Sequence, residues 1–289
     1  MRDFVITTDS NSDLPESYIK EKQIGVIPHY YDIDAATYGG GNELPVKEFY
    51  DKMRAGSSAT TTASNPAVIR ETFTRYISQG YDILHISFSS ALSGGYNNIC
   101  VGAAEICEAH PEARIVVLDT LNVSLGQGLA IMKAVQMKEA GCSLDEIHSW
   151  LEEHKQEFCV QFTVEDLKYL YRGGRISKTT AVVGSLINVK PVLYVNPDGQ
   201  LVSLSTVRGR KRSLATLVAN MEERRGSYKE DSLPICIVHG DALQDAEYTA
   251  SLIREKFGTD NILINTVGPS IGAHSGPGAI GICFMGDHR

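Results

Sequence analysis

The sequence predicts an α/β protein of two domains, and three observations lead to this prediction. The chain has 289 residues, which suggests two domains or one large one. In its first half, short apolar runs alternate with stretches of helical spacing, as they do around a parallel sheet. In its second half the pattern changes to a hairpin with flanking helices, which indicates a second domain with different strand pairing.

The first domain is expected to contain a mostly parallel sheet with helices on both faces. Its strands are predicted at residues 4–7, 83–87 and 115–118, and its helices at 66–79, 96–109 and 126–140. Each predicted strand is an apolar run, and polar or glycine-rich residues and then a helical pattern follow it. This alternation favours parallel strands, since crossing over by a helix is how parallel neighbours are joined.

The second domain is expected to be an α/β sandwich with a mixed or antiparallel sheet. Residues 190–207 predict a hairpin, because Pro197, Asp198 and Gly199 supply a turn between two apolar stretches. The other predicted elements are helices at 212–224 and 245–257 and strands at 235–238 and 262–267. We place the boundary near residues 157–163 and assign residues 1–158 to the N-terminal domain and 159–289 to the C-terminal domain.

Composition and charge favour a cytoplasmic protein that binds neither nucleic acid nor a membrane. The formal net charge is −8, so the protein on average repels nucleic-acid phosphates. The six cysteines form no C-x-x-C pair, and no metal-ligand cluster stands out. The chain is charged by its third residue, which does not fit a signal peptide, and no apolar run approaches the ~18 residues of a transmembrane helix.

The loops that follow three predicted strands are rich in hydroxyl groups and glycine. They cover residues 7–13, 87–95 and 118–128. In an open α/β sheet, loops at the carboxyl ends of the strands line the ligand crevice. These loops are therefore the main indication of a binding site that the residues themselves provide.

Two of the polar segments could hold an anion. At Ser93 and Gly94, a helix that begins here would offer free backbone N–H groups and the positive end of its dipole, although Ser93 could serve only as a helix cap. The threonine run at 60–62 precedes Asn65 and Pro66, which suffice to start a helix. Three adjacent hydroxyls could bind an oxyanion, or the run could simply be an extended segment.

Three further segments carry positive charge or a histidine. His274 lies in a stretch rich in glycine and proline at 268–278, and Arg172 and Arg175 flank a glycine pair. Arginine suits carboxylates and phosphates, and histidine can donate to an anion or act as a base. Residues 208–212 hold four cations before a helix start, where positive charge is unfavourable, so this run could dock an acidic partner or simply face solvent.

Taken in order, these segments resemble the DegV family of bacterial lipid-binding proteins, which includes the fatty-acid-binding subunits of bacterial fatty acid kinase. The resemblance runs from residue 6 to about residue 281, nearly the whole chain. The segments that carry it are TTDSNSDLP, TTTASNPA, ISFSSALSGGYN, VLDT followed by GQG, LKYLYRGGRIS, INVKPVLYVNPDG, VRGRKR and IGAHSGPGAIG. Their combination is far more specific than any one of them.

The resemblance implies one long-chain fatty acid held between the two domains, with no cofactor and no metal. By this likeness, a hydroxyl of Thr61 or Thr62 and the Ser93 hydroxyl would bind the carboxylate. Where the family often has serine, this chain has Thr62, so the donating threonine is left open. The residues implied near the head group are Gly94, His274 and Arg172 or Arg175, and those implied in docking the kinase are Arg208 and Arg210.

The implied function is a carrier without catalysis of its own. It would present the carboxylate to the catalytic subunit of a fatty acid kinase and then hold the acyl phosphate for an acyltransferase. One alternative is a carrier for lipid storage or sensing without a kinase. The other is a serine-dependent esterase that uses Ser93, His274 and either Asp9 or Asp119, although Ser93 does not lie in a G-x-S-x-G elbow.

Overall fold

The computed structural model describes residues 2–177, 188–230 and 232–289. Its first half contains a parallel four-stranded sheet in the order β2-β1-β6-β7. The strands are β1 (Phe4–Asp9), β2 (Gly25–Ile27), β6 (Asp82–Ser87) and β7 (Ile115–Asp119). The three strands predicted for this domain are confirmed, and β2 was not predicted.

A small antiparallel sheet sits beside the parallel one, in the order β4-β3-β5. It consists of β3 (Tyr30–Ile33), β4 (Ala36–Tyr38) and β5 (Thr60–Thr62), and β5 is the threonine run. Tyr31 of β3 lies opposite Thr61 and packs with Phe49 and Tyr50 in a buried aromatic cluster. Because Tyr169 and Ala273 from the second half join this cluster, the small sheet is held against both halves of the chain.

Helices cover both faces of the parallel sheet, as predicted. They are α1 (Glu16–Glu21), α2 (Val46–Arg54), α3 (Pro66–Ser78), α4 (Gly95–Ala109), α5 (Leu125–Glu139) and α6 (Leu144–His154). The apolar residues of α3 and α4 pack with Val5 and Ile83 on one face, while α5 packs on Ile6 and Leu84 on the other. Alternate strand residues point to opposite faces, so neighbours such as Val5 and Ile6 enter different clusters.

The second half contains a six-stranded mixed sheet in the order β10-β9-β8-β13-β11-β12. Its strands are β8 (Phe158–Thr163), β9 (Val189–Val195), β10 (Leu201–Arg208), β11 (Ile235–His239), β12 (Ile262–Thr266) and β13 (Ile280–Met285). Only β11 and β12 are paired in parallel among these described strands. The predicted hairpin is β9-β10, and the mixed sheet confirms the fold class expected for this half.

Four helices complete the described part of the second half: α7 (Lys168–Arg172), α8 (Arg210–Arg225), α9 (Leu243–Phe257) and α10 (Pro269–Ser275). Helices α8 and α9 cover one face of the mixed sheet through residues such as Leu214, Ala250 and Ile237. The other face, with Val160 and Val238, turns toward α5. Helix α5 therefore lies between the two sheets, and ten of its fifteen residues are buried.

The two halves share one hydrophobic core. The largest cluster takes in residues of the parallel sheet, of α5 and of the mixed sheet together. The side chain of Arg289, only 6% exposed, adds a polar link by donating hydrogen bonds to carbonyl oxygens from both halves. Its acceptors belong to Thr120, Leu121, Lys155, Phe158 and Asn196.

Residues 2–177, 188–230 and 232–289 contain no helix with the length and apolar character that a bilayer crossing requires. All six cysteines carry free thiols.

Candidate functional site

A cavity lies between the parallel sheet and the mixed sheet. The empty space inside it and at its mouth, open solvent included, is about 1020 Å³. Its lining comes from loops that follow strands of the parallel sheet, including Asn11, Phe88 and Val123, and from the inner face of the mixed sheet. This is the crevice that the hydroxyl-rich loops predicted.

Most of the wall contributed by the mixed sheet is apolar. Val160 and Phe162 of β8 and Val238 of β11 all face the cavity, because residues two apart in a strand share a face. Gly281 of β13 lies among them, and a Cβ atom there would come within 2.9 Å of Val238 Cγ2. The absence of a side chain at Gly281 leaves this wall smooth, and the wall offers a hydrocarbon chain a surface without hydrogen-bonding demands.

One region of the lining is polar and combines residues from distant parts of the chain. Its members are Asn11, His29, Thr61, Ser93, Gly94, Arg175 and His274. The structure thus brings five of the predicted site residues together around one cavity. Thr62 and Arg172 are exposed and do not belong to the lining.

Thr61 and His274 contact each other across the cavity wall. The Thr61 hydroxyl and His274 Nε2 are 2.8 Å apart, and the ring of His274 rests on the backbone of Gly173. Among the described residues, His274 Nδ1 is buried without a hydrogen-bond partner. Burial, together with the positive charges of Arg175 and Arg172, lowers the pKa of His274 to about 4, so the ring is neutral near pH 7.

An unpartnered buried acceptor costs less than an unpartnered buried N–H donor, which is rarely found. This difference favours the tautomer of His274 that carries its proton on Nε2. Nε2 then donates to the oxygen of Thr61, and the Thr61 hydroxyl keeps its own proton for a ligand in the cavity.

Ser93 occupies the start of α4 and lines the cavity at the same time. Its hydroxyl oxygen accepts a hydrogen bond from the backbone N–H of Gly95 at 3.1 Å. A hydroxyl that accepts in this way can still donate its proton. The N-cap residue of α4 is Gly94 and not Ser93. Ser93 nevertheless accepts from the first backbone N–H of the helix, and this bond leaves its own proton available for a ligand.

The arginines of the predicted site differ in their surroundings. Arg175 is half-buried at the cavity, and its Nε donates to the carbonyl oxygen of Leu92 at 3.1 Å, directly before Ser93. Burial lowers the pKa of Arg175 from its usual value, yet a guanidinium remains charged in proteins. Arg172 instead lies over the ring of Tyr169, 5.4 Å from its centre.

The two arginines of the basic run also differ. Arg208 is exposed at the end of β10. Arg210 is held within the protein, since its Nε donates to Asp245 at 2.8 Å and its Nη2 donates to the carbonyl oxygen of Gly278. Arg210 therefore anchors the glycine-rich segment that follows His274.

His29 and Asn11 line the cavity but were not singled out in the sequence. Asn11 lies in the first hydroxyl-rich loop, and its amide nitrogen is 3.2 Å from Nδ1 of His29. His29 lies two residues after the end of β2, with Pro28 between them. The rule that polar residues after parallel strands line the crevice would have found His29 if β2 had been recognised as a strand.

The residues of the esterase alternative are not assembled as a triad in the described part of the chain. His274 bonds to Thr61, and neither Asp9 nor Asp119 is a hydrogen-bond partner of a histidine there. The Asp9 carboxylate accepts from Asn11, Phe88 and Gln127, and that of Asp119 accepts from Ser90 and Leu121. Within the described ranges, no group of three or more histidine, cysteine or acidic residues could hold a metal ion.

Comparison with known proteins shows similarity along the whole chain. The sequence model described as "Uncharacterised protein, DegV family" matches residues 3–287. A DegV domain-containing protein of Clostridium perfringens is 44% identical over 291 aligned positions, which cover 100% of this chain and 99% of the relative.

Solved structures from three organisms share this fold. A fatty acid binding DegV family protein from Streptococcus agalactiae is 27% identical, with a TM-score of 0.86 and 100% of both chains covered. A DegV family protein from Thermus thermophilus, described by its fatty acid binding, is 27% identical with a TM-score of 0.85, covering 99% of this chain and 100% of that chain. DegV of Bacillus subtilis, a fatty acid binding protein, is 26% identical with a TM-score of 0.83 and the same coverage. The chain belongs to the DegV family.

Proposed function

We propose that this protein binds one long-chain fatty acid in the cavity between its parallel sheet and its mixed sheet. The observation that carries the proposal is the division of a single cavity into a polar region with hydroxyl, histidine and arginine side chains and an apolar wall. A fatty acid has the same division. The fatty acid binding described for the relatives from Streptococcus agalactiae, Thermus thermophilus and Bacillus subtilis supports the assignment.

The carboxylate would lie among Thr61, Ser93 and Gly94. Two hydroxyl protons are available there, and the start of α4 adds the positive end of a helix dipole. Hydrogen bonds from such donors to a carboxylate are charge-assisted and therefore stronger than neutral ones. The positive charge of Arg175 stands at the same cavity and offsets the negative charge of the head group.

The hydrocarbon tail would lie along Val160, Phe162 and Val238. Burying one methylene group stabilises a complex by roughly 0.8 kcal/mol. A chain of about sixteen carbons gains on the order of 10 kcal/mol before the costs of association and ordering are subtracted. Tight binding therefore needs only the hydrogen bonds at the head group and an apolar channel.

We further propose that the protein is a non-catalytic carrier that presents the carboxylate to a separate fatty acid kinase. The hydrogen bonds of Ser93 and His274 support the non-catalytic role. His274 bonds to Thr61, and within the described part of the chain no carboxylate side chain bonds to Ser93 or to His274. Exposed Arg208 is a candidate for kinase docking. We assign Arg210 a structural role because it is engaged with Asp245 and Gly278.

The test is denaturing extraction of the purified protein, followed by mass spectrometry of the lipids and an ATP-dependent phosphorylation assay with a fatty acid kinase subunit. We expect one fatty acid per chain and the formation of acyl phosphate. Arg208→Glu should reduce acyl phosphate formation and leave fatty-acid binding unchanged. A protein that is empty and takes up no added fatty acid contradicts the whole proposal. Binding without phosphorylation contradicts the kinase step alone and favours a storage or sensing carrier.

A further inference from the structure

His29 is a buried histidine at the polar region of the cavity, outside the set of head-group residues that the sequence predicted. Its side chain is 6% exposed and lines the cavity. Its backbone N–H donates to the Ser10 hydroxyl at 2.9 Å, and its ring packs beside Phe88 with a distance of 6.4 Å between ring centres. The backbone of His29 is therefore held by Ser10, and its ring has Phe88 beside it.

The hydrogen bond from Asn11 determines where the proton of the neutral ring lies. The amide nitrogen of Asn11 can only donate, and it is 3.2 Å from Nδ1 of His29. Nδ1 must then accept, and the ring proton is on Nε2. In the described residues, Nε2 of His29 has no hydrogen-bond partner, so this donor is available to a ligand.

Nε2 of His29 and the Ser93 hydroxyl both lie next to Gly95. A Cβ atom built on Gly95, the first residue of α4, would be 3.2 Å from His29 Nε2 and 3.3 Å from Ser93 Oγ. Both groups thus border one point at the start of this helix. A head group that accepts a hydrogen bond from Ser93 lies within reach of His29 as well.

The charges around His29 favour a protonated ring once an anion is present. Burial lowers the pKa of His29, while the nearby carboxylate of Asp9 acts in the opposite direction. The other titratable group that interacts with it is His85, which is buried and whose pKa is lowered to about 4, so it carries no charge near pH 7. A bound carboxylate would add a second negative charge beside the ring.

We propose that His29 donates a hydrogen bond from Nε2 to the anionic head group of the bound lipid and takes up a proton on Nδ1 as the head group enters. The Asn11 amide then turns over, so that its Oδ1, which is buried without a hydrogen-bond partner among the described residues, accepts from Nδ1. This assignment rests on the proposed fatty-acid binding and adds a donor to Thr61 and Ser93. It gives the site a preference for an anionic head group over a neutral one of the same chain length. The preference follows because only an anion favours the imidazolium form.

The test compares the affinities for myristate and for tetradecanol by titration calorimetry at pH 7. We expect His29→Leu to weaken myristate binding about tenfold, as the loss of a hydrogen bond to a charged group does, and to leave tetradecanol binding within about twofold. His29→Gln keeps an N–H donor but cannot titrate. It should lose less affinity for myristate than His29→Leu does. It should also take up fewer protons on binding than the wild type, measured by calorimetry in buffers of different ionisation enthalpy. The matched control is His239→Gln, because His239 is also 6% exposed but does not line the cavity.

Thermal unfolding of each variant checks that the fold is retained, and His29→Gln provides the measurement if His29→Leu does not fold. The role of His29 alone is overturned if the His29 variants keep the wild-type preference for myristate over tetradecanol. It is also overturned if they lose equal affinity for both ligands. Wild-type protein that binds neither ligand overturns the proposed function together with this inference.

Discussion

Thr61 and Thr62 are adjacent and chemically identical, yet the fold gives them different surroundings. Both belong to β5, where successive side chains point to opposite sides. Thr61 lines the cavity beside His274, and Thr62 is exposed. The sequence left the donating threonine open because a run of three hydroxyl residues has no apolar alternation from which the inward face could be read.

We predict that Thr61→Val weakens fatty-acid binding about tenfold, because a hydrogen bond to a charged group contributes roughly 1.5 kcal/mol. Valine keeps the branched shape of threonine and removes the hydroxyl. Thr62→Val is the matched control and should leave the affinity within about twofold of the wild type. Equal losses in the two variants, measured by titration calorimetry with palmitate, would contradict the placement of the carboxylate at Thr61.

Asp13 is a buried carboxyl group that joins the two halves of the chain. It accepts hydrogen bonds from the Ser124 hydroxyl and from the backbone N–H of Gly268, which is 2.9 Å away. Burial is the main reason why the pKa of Asp13 is raised from 3.8 to about 7, and the nearby Asp9 adds to the shift. Asp13 and Ser124 could be seen as polar loop residues in the sequence, but their contact with a glycine far along the chain could not.

The raised pKa of Asp13 makes stability depend on pH. Between about pH 4 and pH 7 the folded protein holds a proton that the unfolded chain has released, so the free energy of unfolding falls as pH rises through this window. The effect is at most roughly 4 kcal/mol. Asp13→Asn should flatten the difference in stability between pH 4.5 and pH 8, measured by urea denaturation. An unchanged difference would show that Asp13 titrates normally.

The C-terminal end of helix α7 helps to position His274, which belongs to α10. Gly173 directly follows α7. A Cβ atom built on Gly173 would be 2.1 Å from Nδ1 of His274. A side chain at this position could therefore be accommodated only if the His274 ring moved. The glycine pair in the sequence suggested the end of a helix. That one of the two also makes room for His274 depends on how α7 and α10 pack, which local patterns do not contain.

We predict that Gly173→Ala displaces His274 from Thr61 and weakens fatty-acid binding by about tenfold or more, since the donor from Thr61 is no longer held in place. Gly174→Ala is the control. Its Cβ atom would meet nothing within 4 Å, although its φ of +73° makes alanine unfavourable there. That variant should therefore lose about 1–2 kcal/mol of stability and keep its affinity. Two variants with the same affinity, by calorimetry, would contradict the role of Gly173.

The longest helices were predicted from the sequence, whereas α2, α6, β8, β13 and the strands of three residues were not. The hairpin was found because a Pro-Asp-Gly turn separates two apolar stretches, and Gly199 has the positive φ, +76°, that such a turn requires. The strands β2, β4 and β5 have three residues each, too few to show a period of two. Helix α5 was predicted in place, but its burial between two sheets became visible only in the fold.

The cavity exists only in the complete molecule. Its hydroxyl donors come from strand β5 and the loop before α4 in the first half, and its apolar wall comes from the mixed sheet of the second half. Helix α5 lies in the core that both halves share. The sequence predicted a ligand between the two halves through family resemblance, and it predicted the polar loops from their residues. The apolar wall could not be predicted because it depends on which strand faces turn inward.

The most direct test of the fatty-acid site is a crystal structure with a long-chain fatty acid that carries bromine on its terminal carbon. We expect the carboxylate within hydrogen-bond distance of the Thr61 and Ser93 hydroxyls. We also expect an anomalous bromine peak along the apolar wall near Val160 and Val238. A bromine peak beside Thr61 and Ser93, or a fatty acid bound outside the cavity, would contradict this placement.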